Sequence, residues 1–218
     1  MYRPSEWLSE KLQQDGSATQ GLPADRRAPE FSLDQRRTLL RIARLAILSV
    51  LECRPFPEAP SLPMDLSQAR GVFTTLYLRD DVQRHLRGCV GYAMPIMPLY
   101  RAVAETARAA AFDDSRFPPV TKREALNLEV SLSVLSRLFP IDPEAVQVGR
   151  HGVVITEGGR RGLLLPQVAV ENGWDRETFL EQTCWKAGLA LDAWRRSAII
   201  EAFTAEVFAD SDVETSPR

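Results

Sequence analysis

Two stretches of this chain share one order of predicted elements, strand, strand, helix and strand, and this shared order restricts the fold more than any other feature. In the first stretch, β-branched and aromatic residues alternate over 71–78, and a second alternating run follows the acidic turn Asp80-Asp81. Pro98 then opens an amphipathic helix, and residues 127–135 alternate again. This stretch therefore predicts a β-β-α-β unit.

The second stretch repeats the order with different residues. Short strands are predicted over 152–156 and 162–165, with a diglycine turn between them. A helix is predicted to begin at Asp175 and to end at Gly188, and a longer strand follows over 198–208. These two halves predict an α+β fold in which they pack against each other and helices flank one mixed or antiparallel sheet.

A capping box that begins at Ser32 starts the first helix and, with it, the folded domain. The two halves of the domain are expected over residues 32–140 and 141–208. Residues 1–31 are rich in Gln, Ser, Gly, Pro and charge, which is typical of a flexible arm. Residues 209–218 are short, acidic and polar, and we expect this tail to fray.

Composition and apolar patterning restrict the class of protein. No apolar run approaches the ~18 residues that cross a bilayer, and the N-terminus lacks the apolar core of a signal peptide. The three cysteines form no CxxC pair and cannot all be paired within one chain. We therefore expect a cytoplasmic protein with reduced thiols and no membrane span.

Arginine dominates the basic residues, since only three of the 27 are lysines. A guanidinium suits bidentate contact with carboxylates or phosphates. The formal charge is nevertheless −2, so the domain-wide basicity of a nucleic-acid-binding protein is absent. Solvated arginine faces are the favoured interpretation, and RNA binding is a weakly supported alternative.

Motifs of several common enzyme classes are missing from the sequence. It contains no GxxxxGK[ST], no GxGxxG and no GxSxG, which argues against a P-loop nucleotidase, a Rossmann dehydrogenase and an α/β-hydrolase. The histidines and cysteines show no HxH, HExxH or zinc-finger spacing. We predict no metal site and no cofactor.

A cysteine flanked by glycines is the strongest candidate for chemistry, in Leu86-Arg87-Gly88-Cys89-Val90-Gly91. Gly88 and Gly91 permit close approach of the backbone to a ligand. If the stretch is extended, Arg87 and Cys89 share one face about 7 Å apart, and the cation would favour the thiolate. The alternative is a buried, inert cysteine beside glycines that serve packing.

A general base for Cys89 would have to come from elsewhere in the chain. His85 is a poor candidate, because four extended residues place it roughly 13 Å away. His151, from the other half, is the better candidate. Glu129 belongs to a polar row of its strand, which either faces water or lines a cleft where this carboxylate could pair with Arg87 or Arg116.

The first long helix is followed by a charged and proline-rich segment, Asp113-Asp114-Ser115-Arg116-Phe117-Pro118-Pro119. Arg116 could bind an anion or could neutralise the aspartates. Phe117 can anchor the segment on apolar surface, while the diproline fixes the chain direction. We interpret the segment as a stapled loop that shapes the wall of a pocket.

Eight blocks of the sequence, in order, resemble the AMMECR domain, also called AmmeMemoRadiSam system protein A. The blocks are Leu39-Leu40-Arg41-Ile42-Ala43-Arg44, Leu86-Arg87-Gly88-Cys89-Val90-Gly91, Asp114-Ser115-Arg116-Phe117-Pro118-Pro119, Leu128-Glu129-Val130-Ser131, His151-Gly152-Val153, Leu164-Leu165-Pro166-Gln167-Val168-Ala169, Phe179-Leu180-Glu181 and Cys184-Trp185-Lys186-Ala187-Gly188-Leu189. The resemblance implies an α+β fold of two packed subdomains and makes the cysteine loop the hallmark. Microbial relatives are often encoded with Memo-like and radical SAM proteins, which implies these as partners.

Two functions remain open from the sequence, and whether the chain is an enzyme is left undecided. In the first, Cys89 acts as a nucleophile or redox thiol, Arg87 stabilises the thiolate, and His151 or Glu129 moves protons. In the second, the protein is a non-catalytic module that docks a partner protein or RNA, and the Cys89 loop is a packed structural element.

Overall fold

The structure is a computed structural model, and it describes residues 29–56, 63–79 and 83–214. Most of the predicted arm, up to residue 28, lies outside the described residues. So do the predicted turn at Asp80-Asp81 and residues 215–218 of the predicted tail.

Four antiparallel strands form the first sheet, in the order β2-β1-β3-β8. They are β1 Val72–Arg79, β2 Arg84–Tyr92, β3 Leu128–Leu135 and β8 Ala205–Ala209. The three strands predicted for the first half are confirmed. Leu76 of β1 lies beside Gly88 of β2 and Val130 of β3, so the apolar residues of neighbouring strands share one face.

Two long helices cover that apolar face. Helix α1, Leu33–Leu51, begins at the predicted capping box, because Ser32 Oγ accepts from the Gln35 amide and the Gln35 side chain accepts from the Ser32 amide. A short helix, α2 Met64–Ser67, follows it, and α3, Leu99–Phe112, begins after Pro98 as predicted. The first core lies between these helices and the sheet.

The second sheet is also antiparallel and has the order β4-β7-β5-β6. After the short helix α4, Lys122–Ala125, its strands are β4 Phe139–Pro140, β5 Gly152–Glu157, β6 Arg160–Leu164 and β7 Ile199–Phe203. Helices α5, Pro166–Glu171, and α6, Arg176–Lys186, pack on it. The predicted cap of α6 is confirmed, since Asp175 accepts from the Thr178 amide. Cys184 of α6 is fully buried in the second core.

The predicted α+β class is confirmed, with two antiparallel sheets in place of the single sheet that we expected. Each half keeps the predicted β-β-α-β order. Within the described ranges, no helix is both long and apolar enough to cross a membrane.

In both halves a strand glycine lies against the backbone of a helix, and this shared contact is a closer likeness than the order of the elements. A Cβ atom at Gly88 of β2 would meet the backbone of Ala110 in α3, and a Cβ atom at Gly162 of β6 would meet the backbone of Ala187 after α6. Four residues before each alanine stands a buried threonine, Thr106 or Thr183, whose hydroxyl donates to the carbonyl four residues earlier. Both halves therefore seat a helix backbone on a strand glycine in the same way.

The strand predicted over 198–208 is wrong as one element, because the chain leaves the second sheet at Thr204. β7 pairs with β5, whereas β8 pairs with β3 of the first sheet. The chain then forms α7, Asp210–Glu214, where Asp210 accepts from the Val130 amide and Val213 joins the first core. The predicted frayed tail therefore does not describe residues 209–214.

A third and smaller group of apolar side chains joins the two halves. Leu135 at the end of β3, Val154 of β5 and Phe203 of β7 form its buried centre. Phe73 of β1 packs against this centre from the first sheet. Phe73 points away from α1 and α3, so the second half covers one end of the first sheet's other face.

Candidate functional site

The sheet face that points away from α1 and α3 carries the candidate site, and we call it the open face. Thr74 bonds Thr106 of α3, so its neighbours in β1 point the other way. The open face consists of Thr75, Tyr77, Cys89, Glu129, Ser131, Ser133 and Val207, as the strand registers show. Most of these side chains are small and polar, and they are half-buried except for exposed Val207 and buried Glu129.

Cys89 lies directly opposite Thr75 on this face. Its sulfur is 3.4 Å from Thr75 Oγ1, and either atom can be the donor. The main-chain groups of Cys89 bond to other residues, so Cys89 and Thr75 form a non-hydrogen-bonded pair, the arrangement in which facing side chains lie closest. Cys89 as a whole residue is half-buried.

Both main-chain polar groups of Cys89 are held by a structure that we call the Asp114–Arg116 clamp. The Cys89 amide donates to Asp114 Oδ2 at 2.9 Å, and Arg116 Nη2 donates to the Cys89 carbonyl at 3.3 Å. Arg116 also donates to Asp114 through Nε at 3.0 Å and Nη2 at 2.7 Å. Because β2 is an edge strand, the clamp supplies the partners that a further strand would give.

The electrostatics of this cluster favour a neutral thiol beside a closed ion pair. Burial raises the pKa of Cys89, and Asp114 adds to this effect, while the Thr75 bond and Arg116 act in the opposite direction. Burial alone would also raise the pKa of Asp114, but hydrogen bonds from Arg116 and the Cys89 amide hold it below its ordinary value. The charges and bonds that act on the thiol therefore come from the clamp and Thr75.

Arg87 is bound to Glu124 of α4, not to Cys89. Nε donates to Glu124 Oε1 at 2.9 Å and Nη2 donates to Oε2 at 3.4 Å, while Arg87 is only 6% exposed. Opposite Leu76 and Tyr77 the register shifts, so Arg87 is the extra residue of a β-bulge. The prediction that Arg87 and Cys89 share one face assumed the regular alternation of side chains along a strand. The bulge breaks that alternation between them.

Phe117 lies between the two arginines of this region. Its ring centroid is 6.0 Å from the guanidinium carbon of Arg87 and 5.4 Å from that of Arg116. Arg87 Nη1 is buried without a hydrogen-bond partner among the described residues. Phe117 thus contacts an arginine of the clamp and the arginine of the Arg87–Glu124 pair, and its predicted role in the wall of a pocket stays a prediction.

The two glycines beside Cys89 serve packing. A Cβ atom at Gly88 would lie 2.0 Å from the Ala110 carbonyl oxygen, and one at Gly91 would lie 2.2 Å from the ring of Phe73. The space that the sequence suggests for a ligand is occupied by the helix on one face and by an aromatic ring on the other. The glycines therefore explain how β2 packs, and they give no support to ligand access.

Glu129 is the most buried polar side chain of the open face, at 2% exposed. It accepts from Arg79 Nε at 2.5 Å, from Arg84 Nη1 at 3.4 Å and from Ser211 Oγ at 3.0 Å. The sequence suggested Arg87 or Arg116 as its partner. The arginines of the adjacent hairpin take that place, so the negative charge of Glu129 is already compensated.

Tyr77 connects the thiol to Glu129 along β1 and was missed from the sequence. Burial raises the pKa of its hydroxyl, and the charges of Cys89 and Glu129 act in the same direction, which places both groups near it. The guanidinium of Arg84 lies 4.7 Å from its ring centroid. The period of two along β1 could have placed Tyr77 beside Thr75, but it could not indicate which strands lie alongside.

His151 lies in the second half, before β5. Its Nδ1 accepts from the Gln147 amide at 3.2 Å, and its ring meets Phe139 of β4 edge-on, with centroids 5.9 Å apart. The structure thus brings Cys89, Arg116, Phe117 and Arg87 into one cluster and sets Glu129 along the same face, while these contacts of His151 are with Gln147 and with β4 of the second sheet. No group of three metal-ligand side chains is found among residues 29–56, 63–79 and 83–214.

Comparisons with known proteins cover nearly all of both sheets. The model of the AMMECR1 family matches residues 40–208. A protein of Thermofilum pendens is 41% identical in an alignment of 203 positions that covers 86% of this chain and 93% of that protein. A protein of Pyrococcus furiosus is 45% identical in an alignment of 182 positions that covers 79% of this chain and 86% of that protein. The crystal structure of an uncharacterized protein from Pyrococcus horikoshii matches with a TM-score of 0.57 at 44% identity, over 79% of this chain and 89% of that one.

Proposed function

The chain belongs to the AMMECR1 family, and we propose that it is a non-catalytic binding module that docks a partner protein on the open face around Cys89. The observation that carries this proposal is the state of the charges at the site. Arg87, Arg116 and Glu129 each form ion pairs with their own neighbours. With the pKa of Cys89 raised as well, the neutral thiol is favoured, and these three charged groups of the site are held in ion pairs.

The shape and chemistry of the open face suit a protein surface. Thr75, Ser131 and Ser133 present small hydroxyl groups on a sheet, and Val207 at its edge is 53% exposed. Small side chains on paired strands make a flat surface, and hydroxyls can donate or accept toward a partner. Since the nearby arginines are bound to carboxylates, they are less available to RNA phosphates, so a protein partner is favoured.

A Memo-like protein is the partner that we propose, since microbial relatives of this family are often encoded beside Memo-like and radical SAM proteins. Calorimetry with the purified Memo-like protein of the same genome tests this. Val207→Arg is expected to weaken binding by about tenfold or more, because it sets a bulky charge in a desolvated contact.

Ile199→Arg provides the matched control, because Ile199 is also a β-branched strand residue, 63% exposed, but in the second sheet. It should leave the affinity unchanged. Equal weakening by both variants would place the contact elsewhere, and no binding by the wild type would reject this partner. Binding of the radical SAM protein or of RNA in place of the Memo-like protein would contradict the proposal that a Memo-like protein is the partner.

A thiol enzyme is the second candidate, and one observation favours it. The clamp fixes both main-chain groups of Cys89, and the sulfur lies beside the hydroxyl of Thr75 and near Tyr77. Such fixed placement of a reactive group is what nucleophilic catalysis requires. In this candidate the ligand itself would have to bring or displace a charge that activates the thiol.

The pH dependence of Cys89 alkylation separates the two candidates. Because burial raises its pKa, the thiol is expected to react half-maximally at a higher pH than N-acetylcysteine does, with the rate falling as pH is lowered. Site-resolved mass spectrometry after iodoacetamide treatment distinguishes Cys89 from exposed Cys53. A midpoint below that of N-acetylcysteine would favour the enzyme, as would loss of cellular function in Cys89→Ser with partner binding intact.

A further inference from the structure

A cavity of about 220 Å³ lies at the junction of the two halves, away from the open face. Gly71, just before β1, and Ala93, just after β2, reach it at the same end of this antiparallel pair, and Leu135 reaches it from the end of β3. Leu163 of β6 and Phe203 of β7 close it from the second sheet. No residue of the open face lines it, so the inference that follows does not depend on the proposed function.

Arg70 in the wall of this cavity is a buried cation with one donor unused. It is 7% exposed, and its Nη1 donates to the Leu135 carbonyl at 3.2 Å while Nη2 pairs with Glu30. Its Nε is buried without a hydrogen-bond partner among the described residues. A buried charged donor of this kind is rare in folded proteins, because leaving it unpaired forfeits its hydration.

The charge of the lining has one sign. Among the residues that the structure describes, Arg70 and Arg137 are the only charged ones that line the cavity. Glu30 compensates part of the Arg70 charge, but it lies outside the lining, and exposed Arg137 is bonded only to the neutral amide of Gln68 in the described residues. The cavity therefore favours a negatively charged group of the kind a guanidinium binds in bidentate fashion, a carboxylate or a phosphate.

The remainder of the lining is mostly apolar. Met94, Leu138, Leu163 and Phe203 contribute large apolar side chains. The volume falls below the roughly 300–1,000 Å³ of pockets that hold drug-sized ligands, so the cavity fits a molecule of about ten non-hydrogen atoms. An apolar body with one anionic group would satisfy both parts of the lining.

We infer that this cavity is a binding site for a small organic carboxylate, whose anionic group meets Arg70 and Arg137 and whose apolar body lies against Leu163 and Phe203. The site takes residues from both sheets, so an occupant fastens the two halves to each other. Ligand bound only to the folded protein also raises its unfolding temperature.

Phenylacetate and hexanoate are suitable probes, with phenylacetamide and hexanamide as uncharged controls of matched shape. In titrations of the full chain followed by amide resonances, at least one carboxylate should bind with a Kd of about 1 mM, as its size allows. Shifts should centre on Gly71, Ala93 and Leu163. The corresponding amide should bind about tenfold more weakly, because it leaves the cations unpaired.

Three variants locate the binding without touching buried Arg70. Ala93→Leu fills the cavity and should abolish binding, whereas Ala104→Leu, at a half-buried alanine of α3, should not. Arg137→Gln should weaken the carboxylate severalfold and leave the amide unchanged. The inference is overturned if neither carboxylate binds at about 10 mM, if Ala93→Leu binds like the wild type, or if the amides bind equally well.

Discussion

Replacing Gly88 by alanine is expected to lower the free energy of unfolding by about 3 kcal/mol, because the added methyl group has no space. A Cβ atom there would lie 2.0 Å from the carbonyl oxygen of Ala110 in α3. The obstructing atom belongs to helix backbone, so relief requires strand and helix to separate along their whole contact. Denaturant unfolding followed by circular dichroism measures the change.

Two further variants control this result. Cys89→Ala alters the next residue of the same strand by removing an atom, and with only the Thr75 bond lost it should cost about 1 kcal/mol or less. Gly162→Ala should resemble Gly88→Ala, because its Cβ would lie 2.6 Å from backbone atoms of Thr183 and Ala187. Similar small losses at Gly88 and Cys89 would mean that β2 does not seat α3 as described.

Glu124→Gln is the second substitution with a large expected effect, about 2 kcal/mol at neutral pH. It leaves the guanidinium of Arg87 buried without its counter-charge, while glutamine preserves the capping box that Thr121 forms with this side chain. The cost stays below that of a fully buried pair, because the carboxylate is 27% exposed and solvent screens it.

Lowering the pH should remove this difference in the free energy of unfolding, because the pKa of Glu124 is lowered in the folded protein. Hydrogen bonds from Arg87 lower the pKa of Glu124 from 4.5 to about 2 in the folded protein. A lowered folded pKa contributes stability that is complete above the unfolded pKa and is lost as pH falls through the folded one. The wild type's higher free energy of unfolding, relative to Glu124→Gln, should therefore decrease as the pH falls from 4.5 to about 2.

Glu177→Gln is the control for both measurements. Glu177 pairs with Arg195 at 2.6 Å, but both side chains are about half exposed. An exposed pair of this kind changes stability by about 0.5 kcal/mol or less. If Glu124→Gln costs no more than Glu177→Gln at neutral pH, the pair of Arg87 and Glu124 does not stabilise the fold.

Local signals in the sequence were sufficient for most elements of the fold. The capping box at Ser32, Pro98 before α3 and Asp175 before α6 each mark a helix start through backbone chemistry within one turn. The division of the last strand at Thr204 could not be predicted. The apolar run over 198–208 is continuous, and the sheet to which each part pairs depends on residues far away in the chain.

At the candidate site, the sequence identified the residues but not their partners. Cys89, Arg116 and Phe117 do lie together, because Arg116 donates to the Cys89 carbonyl and stacks on the ring of the next residue, Phe117. The pairing of Arg87 with Glu124 depends on a bulge, and no residue type in β2 marks where the register shifts. The burial of Glu129 depends on Arg79 and Ser211, which come from other parts of the chain.

The position of β8 in the first sheet also determines when a nascent chain can complete that sheet. A ribosome makes β1, β2 and β3 first, but their sheet takes its remaining strand from residues made after the whole second sheet. Until then the outer edge of β3 has unpaired amides and carbonyls, which invite association with other chains. The strand that is translated last thus protects the sheet that is translated first.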